Sequence, residues 1–293
     1  MSYTDKIFEK AEGLSGLYSI SVIEDGVLQT KRAAANQTNN TYSVSKAFTA
    51  TAIGMLFDAG KLTPEMKIAD IFAEELREYA ALGIGVDEKW QRVTVDHALR
   101  HVMGIENGFL DIDCEDISTY EKTYGTGEDF LRIVLTHPLE HEPGTHNQYS
   151  DAAYYLLSRV VTKLSGEELD DFLRTRLFLP LAFDEYAWAT CPRGHAMGAT
   201  GLYIRTQDIA KTASVYLEDG EYQGKRILSK KWVDMTFERG YCISGKGDGY
   251  YSKGGMLGQA LMVDTVHHLA VGWEGFETER HHSSVLTQAI REL

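Results

Sequence analysis

The sequence predicts an α+β protein in which one antiparallel sheet, assembled from both ends of the chain and flanked by helices, carries an all-α insertion lobe. Three observations lead there. Strand-like segments lie near residues 17–28 and 253–273, at opposite ends of the chain. Between about 61 and 190 the apolar residues recur mostly at helical spacing. No internal repeat, low-complexity tract or long linker separates these regions, which predicts two lobes forming one rigid unit.

Residues 1–13 read as a short amphipathic helix, with Ile7, Phe8 and Ala11 on one face, Thr4 as cap and Gly13 as stop. Alternation over 17–22, the Asp25-Gly26 pair and its resumption at Val27-Leu28 predict a β-hairpin. Over 43–59 the period becomes helical: Phe48, Ala52, Met55 and Leu56 share one side, Gly60 takes the C′ position, and Ser43 opens the segment. Thr63-Pro64-Glu65 has the cap, proline and acidic residue of another helix start. Helices follow over 151–164, stopped by Gly166, over 167–179, ended by Pro180, and over 206–217. Residues 253–263 and 267–273 read as two strands joined near Asp264-Thr265, and a helix over 283–293 packs on the sheet. The expected division is a sheet lobe of 1–60 and 191–293, an all-α lobe of 61–190, and an active-site cleft between them.

With 29 basic and 43 acidic residues among 293, the net charge of -14 repels a phosphate backbone, and no basic stripe reverses it locally. Nucleic acid is therefore excluded as a partner, and the acidity reads as a solubility device. Charged residues throughout 1–13 leave no apolar core for a secretory signal. The most apolar run, 177–183, is too short to cross a membrane and contains Pro180. A cytoplasmic protein without membrane partners is expected. Cys114, Cys191 and Cys242 are odd in number and widely spaced, as free thiols in a reducing compartment would be.

A serine hydroxyl becomes a competent nucleophile only when a neighbouring base takes its proton. Ser43 and Lys46 are three residues apart at a helix start, so their side chains share a face and the helix N-terminus favours a developing oxyanion. About one such pair is expected by chance in a chain this long, and Ser43 read alone is a helix N-cap. Two further segments accompany the pair. Tyr149-Ser150-Asp151 puts a phenol and a carboxylate at a helix entrance, and Lys253-Gly254-Gly255-Met256 opens a strand where two glycines permit close approach.

At these residues the chain resembles the class C β-lactamase and penicillin-binding-protein superfamily of serine hydrolases, which includes esterases and D-amino-acid peptidases. The resemblance extends over nearly the whole length: Val93-Thr94-Val95 into Leu99-Arg100-His101-Val102-Met103-Gly104-Ile105, Pro143-Gly144-Thr145 through Tyr149-Ser150-Asp151 to Tyr155-Leu156-Leu157, then Gly201-Leu202-Tyr203, Asp208-Ile209-Ala210 and Leu228-Ser229. It implies a β-lactamase/transpeptidase-like fold and no cofactor. Ser43 would attack an ester, small amide or peptide carbonyl and form an acyl-enzyme. Lys46 and Tyr149 would share the proton transfers, with either as base. Lys253 would lower the pKa of both and meet the substrate's polar group. The N–H groups of Ser43 and Met256 would form the oxyanion hole. Asp151, Gly254 and Gly255 complete the implied substrate-binding set.

Three departures shape that expectation. Asp151 replaces the usual Asn and adds a carboxylate beside Lys46. Gly254 replaces the hydroxyl residue of a Lys-Thr-Gly box, which moves the chain away from β-lactamase action toward the His-Gly-Gly and Trp-Gly-Gly esterases and peptidases. Val102-Met103 replaces a small polar pair. The implied alternative is an impaired relative that binds acyl or peptide ligands without turnover. Structural roles compete at single positions: Asp151 as a helix cap, Lys253 as an edge-strand gatekeeper, Tyr149 as a half-buried aromatic. No metal is expected: His141 and His146 are one residue too far apart for a zinc helix, and Asp116 takes the glycine position of a calcium loop begun by Asp111, Asp113 and Glu115. His267-His268 reads as a structural strand pair. No Gly-x-Ser-x-Gly elbow or P-loop is present.

Overall fold

The computed structural model describes residues 1–106, 110 and 129–293. The acidic run from Asp111 to Asp116, with Cys114, lies outside the described residues. The chain forms two compact units: Met1–Ala47 with Arg174–Ala187 and Gly201–Leu293, and Phe48–Leu173 with Trp188–Thr200.

The first unit is built on a six-stranded sheet of β1 (Leu17–Glu24), β2 (Val27–Arg32), β3 (Ser244–Gly245), β4 (Tyr250–Gly254), β5 (Ala260–Asp264) and β6 (Leu269–Gly275). Its order is β2-β1-β6-β5-β4-β3, antiparallel throughout, so the two ends of the sequence meet at β1 and β6. The β1–β2 turn has φ of 51° at Asp25 and 75° at Gly26, the paired positive values that a two-residue hairpin of this twist requires.

Alternation along β6 separates the two faces. Leu269, Val271 and Trp273 join Ile20, Val22, Ala260 and Met262 in a core closed by Ile7 and Ala11 of the first helix, Tyr3–Ala11, and by Leu286 and Ile290 of the last, His281–Arg291. On the opposite face runs the helix Thr206–Leu217. It sits close because Gly272 has no side chain: a Cβ there would lie 2.7 Å from both Ile209 Cβ and the Thr206 carbonyl. Ser19 and Ser21 hydrogen-bond Thr206 Oγ1 at 3.1 and 3.0 Å on this face, satisfying hydroxyls whose burial would otherwise be costly.

The structure revises several expected elements. Ser2, not Thr4, caps the first helix: its Oγ accepts from Asp5 N–H and the Asp5 carboxylate accepts from Ser2 N–H, both at 3.0 Å. Thr4 instead hydrogen-bonds Glu24 at 2.6 Å. The single strand expected over 253–263 is two, because Gly255 N–H donates to the Gln259 carbonyl at 2.8 Å and Gly258 turns the chain at φ 94°. His267 and His268 lie in the β5–β6 turn, where Asp264 accepts from the N–H groups of Val266 and His267 and pairs with the His267 ring at 2.8 Å. Thr63-Pro64-Glu65 forms a turn, and the helix starts at Ile68. There the carbonyls of Pro64 and Met66 accept from Asp96 and Val95 and so cannot serve a helical ladder. Over 167–179 a five-residue helix, Leu169–Leu173, passes into a π-turn, Arg174–Phe178, with Leu179 N–H reaching back to the Arg174 carbonyl at 2.9 Å.

The second unit centres on the helix Asp151–Ser165, buried along almost its whole length from Asp151 to Val161. Ser150 caps it, its Oγ accepting from Ala152 N–H at 3.1 Å, and Gly166 ends it in the left-handed region at φ 80°. The short helices Val95–Leu99 and Phe130–Thr136 pack against it. No helix among the described residues is long and apolar enough to cross a membrane.

Candidate active site

Ser43 sits in a 3₁₀ turn, Tyr42–Val44, that leads directly into the helix Ser45–Asp58. The turn is held from both sides by Leu202. Thr41 donates its N–H and its Oγ1 to the Leu202 carbonyl, each at 2.9 Å, and Leu202 N–H donates to Ser45 Oγ at 3.1 Å. Tyr42 has a φ of 48°, a conformation that costs a side-chain-bearing residue on the order of 1 kcal/mol. Asn40 Oδ1 accepts from Tyr42 N–H at 2.9 Å and fixes it. Lys46 is fully buried, and its Nζ donates to Ser43 Oγ at 3.1 Å. The sequence spacing has thus become a direct contact.

The strand β4, which carries Lys253 and Gly254, lies against the Tyr42–Val44 turn. Because β3 pairs with Tyr251 and Ser252, Lys253 and Gly254 lie past its end. Lys253 is half-buried, Gly254 exposed and Gly255 buried. A Cβ at Gly255 would come within 2.8 Å of the Thr41 carbonyl, so glycine is what lets this chain lie so close to the nucleophile turn. Met256 follows, 39% exposed, and its N–H donates to no acceptor among the described residues. A free N–H one residue past that close approach has the character of an oxyanion donor.

Tyr149 and Asp151 belong to the second unit. Tyr149 is 45% exposed, and its ring stacks at a tilt on His101 with centroids 4.5 Å apart. His101 Nδ1 also accepts from Ser150 N–H at 3.3 Å, and the His101 carbonyl accepts from Gln148 N–H at 2.9 Å. His101 therefore braces three consecutive residues from Gln148 to Ser150. Asp151 is buried in the first turn of its helix, where its charge favours the N-terminus. Among the described residues no group of three or more His, Cys, Asp or Glu could hold a metal ion.

Sequence reasoning missed His101 as a brace, although the motif containing it was quoted. It also missed Glu274, fully buried on β6, whose Oε2 accepts from Asn39 Nδ2 at 3.0 Å four residues before Ser43. Burial raises the Glu274 carboxyl well above its usual range, against the Asn39 hydrogen bond and with the help of the Asp208 charge. No local pattern marks a strand glutamate as buried, because its burial depends on the helix Thr206–Leu217 packed over it.

A Ser-x-x-Lys contact at the start of a helix, on a unit built around an antiparallel sheet, defines an α+β protein of the β-lactamase/transpeptidase-like class. The sequence profile of the Beta-lactamase family matches residues 10–275, and the chain belongs to that family. A curated relative, penicillin-binding protein 4 of Amycolatopsis lactamdurans, is 26% identical over an alignment covering 71% of this chain and 59% of the relative. The chain thus spans about three-fifths of that protein's length. Among solved structures, the penicillin-binding protein of Bacillus halodurans shares the fold at a TM-score of 0.72 and 16% identity, with 99% of each chain covered. A family VIII carboxylesterase matches at a TM-score of 0.72 and 16% identity, covering 100% of this chain and 98% of its own.

Proposed function

We propose that the protein is a serine hydrolase that cleaves an ester, small amide or peptide through an acyl-enzyme on Ser43. The observation that carries this reading is the 3.1 Å contact between Ser43 Oγ and the amine of a fully buried Lys46. In its neutral form that amine can take the hydroxyl proton as Oγ attacks the carbonyl carbon. The carbonyl oxygen would gather negative charge against the N–H groups of Ser43 and Met256, each worth on the order of a few kcal/mol in the transition state. Collapse of the tetrahedral adduct expels the leaving group with the proton held by Lys46 or relayed through Tyr149, and water then releases the acyl group by the same route. Lys253 would face the polar end of the substrate. Lys-Gly-Gly in place of Lys-Thr-Gly supports an esterase or peptidase over a β-lactamase.

The test is intact-mass analysis after exposure to a fluorophosphonate and to a labelled penicillin, with a panel of p-nitrophenyl esters, nitrocefin and D-alanyl peptides read for turnover. One adduct per chain on the native protein and none on Ser43→Ala is expected. Equal absence of labelling in both folded proteins refutes the hydrolase reading. An adduct at Ser43 that never turns over on any substrate identifies a ligand-binding relative instead.

A further inference from the structure

We propose that His282 is a positioning residue for the oxyanion donor: it clamps the 255–259 turn so that the Met256 N–H stays beside the Ser43 turn. The inference rests on the reading of Ser43 and Met256 given above.

His282 stands in the first turn of the last helix, with a fully buried side chain. Its Nδ1 lies 3.1 Å from Glu277 Oε2 and its Nε2 lies 3.0 Å from the Gly258 carbonyl. A carbonyl oxygen can only accept a hydrogen bond, and so can an ionised carboxylate. The Glu277 carboxyl is held below its ordinary range, chiefly by the hydrogen bond with His282, which keeps it ionised near neutrality. The ring therefore donates from Nε2 to the Gly258 carbonyl while Nδ1 faces Glu277, so one imidazole ties the last helix to the turn.

The ring also occupies a slot shaped for it. A Cβ at Gly258 would lie 2.5 Å from His282 Nε2, and a Cβ at Gly275 would lie 2.5 Å from the same atom. Two glycines, one in the turn and one at the end of β6, thus leave the space that the imidazole fills. Gln259 locks the same turn from inside: its Oε1 accepts from Leu257 N–H at 3.2 Å and its Nε2 donates to the Gly275 carbonyl at 2.7 Å. Met256 is two residues from the clamped Gly258 carbonyl. A donor with little freedom to shift is what a developing oxyanion requires, and displacements of about 1 Å in such a site cost on the order of a hundredfold in rate.

The experiment compares the native protein with His282→Ala and Glu277→Gln. Hydrolysis of p-nitrophenyl butyrate is expressed per active site, with sites counted by fluorophosphonate adducts. For His282→Ala, kcat per labelled site should fall by about tenfold or more while KM moves by less than about twofold, the split of an interaction made in the transition state. If His282→Ala does not fold, Glu277→Gln decides: it removes the charge of a half-buried carboxylate, keeps the side chain's shape, and should lower kcat per site by about threefold. Two-bond proton–nitrogen spectra of the native protein should show a proton on His282 Nε2, the nitrogen that donates to the Gly258 carbonyl. Unchanged kcat per site in the folded variants, a raised KM alone, or an unprotonated His282 Nε2 overturns the proposal. Absence of Ser43 labelling in the native protein refutes the hydrolase reading instead, and the spectra then still decide the protonation of the clamp.

Discussion

Gly255→Ala should lower stability and rate together, through a single contact beside the nucleophile turn. The added methyl would meet Gln259 Oε1 at 2.6 Å and the Thr41 carbonyl at 2.8 Å, each roughly half an ångström or more inside ordinary contact. Neither neighbour yields easily. Thr41 is tied to Leu202 by two bonds of 2.9 Å, and the Gln259 side chain is bonded at both ends. Relief must come from parting the strand that bears Met256 from the turn that bears Ser43, by about half an ångström. Overpacking of this kind costs about 1–3 kcal/mol. If a full ångström costs about a hundredfold in rate, half of one should lower kcat by about tenfold. Urea denaturation gives the first figure, and p-nitrophenyl ester hydrolysis per fluorophosphonate-titrated site gives the second. Native stability together with native kcat in Gly255→Ala would refute the reasoning, since both follow from a single contact.

Other perturbations read other parts of the structure. Lys46→Met should slow fluorophosphonate acylation of Ser43 by about 10²–10⁴-fold while the melting temperature holds or rises, because a buried amine gives way to an apolar side chain of similar shape; labelling kinetics alongside calorimetry check both halves. Glu274, raised by burial, stays protonated in the fold and ionises on unfolding, so its stabilising contribution is full below the unfolded carboxyl value and is lost as pH rises toward the folded one. The stability of Glu274→Gln relative to the native protein should therefore climb as pH rises above the ordinary carboxyl range, by up to about 1.4 kcal/mol per pH unit, and urea midpoints that run parallel with pH would contradict this. His101→Ala strips the Ser150 N–H of its acceptor and uncovers the Tyr149 ring, at an expected cost of about 1–3 kcal/mol in thermal unfolding. Trp273→Ala, which empties the centre of the sheet core, should cost about 3–5 kcal/mol by the same measurement.

What the sequence conveyed was local. Asp25-Gly26 announced a hairpin because both residues tolerate positive φ, and Gly166 announced a helix end for the same reason. The Ser43–Lys46 spacing announced a contact because three residues along a helix return to the same face. Errors arose where a distant partner outbid a local signal. Thr63-Pro64 has the chemistry of a helix start, yet the carbonyls beyond it were claimed by Val95 and Asp96. The run from 253 to 263 has strand composition, and only the hydrogen bond between Gly255 and Gln259 breaks it in two. The polar groups around the site were harder still to foresee. Asn39 meets Glu274 across 235 residues of sequence, and His282 meets Gly258 across 24, pairings created by the sheet register and absent from any one window.

The dependence of the Ser43 turn on Leu202 sets a schedule for the growing chain. The serine and its lysine leave the ribosome early, but the backbone groups that shape their turn are supplied more than 150 residues later. Until Leu202 has emerged, Thr41 and Ser45 on either side of the turn lack the backbone partners that hold them in the finished fold. The turn that bears Ser43 can therefore take its final shape only after roughly two-thirds of the chain has been made.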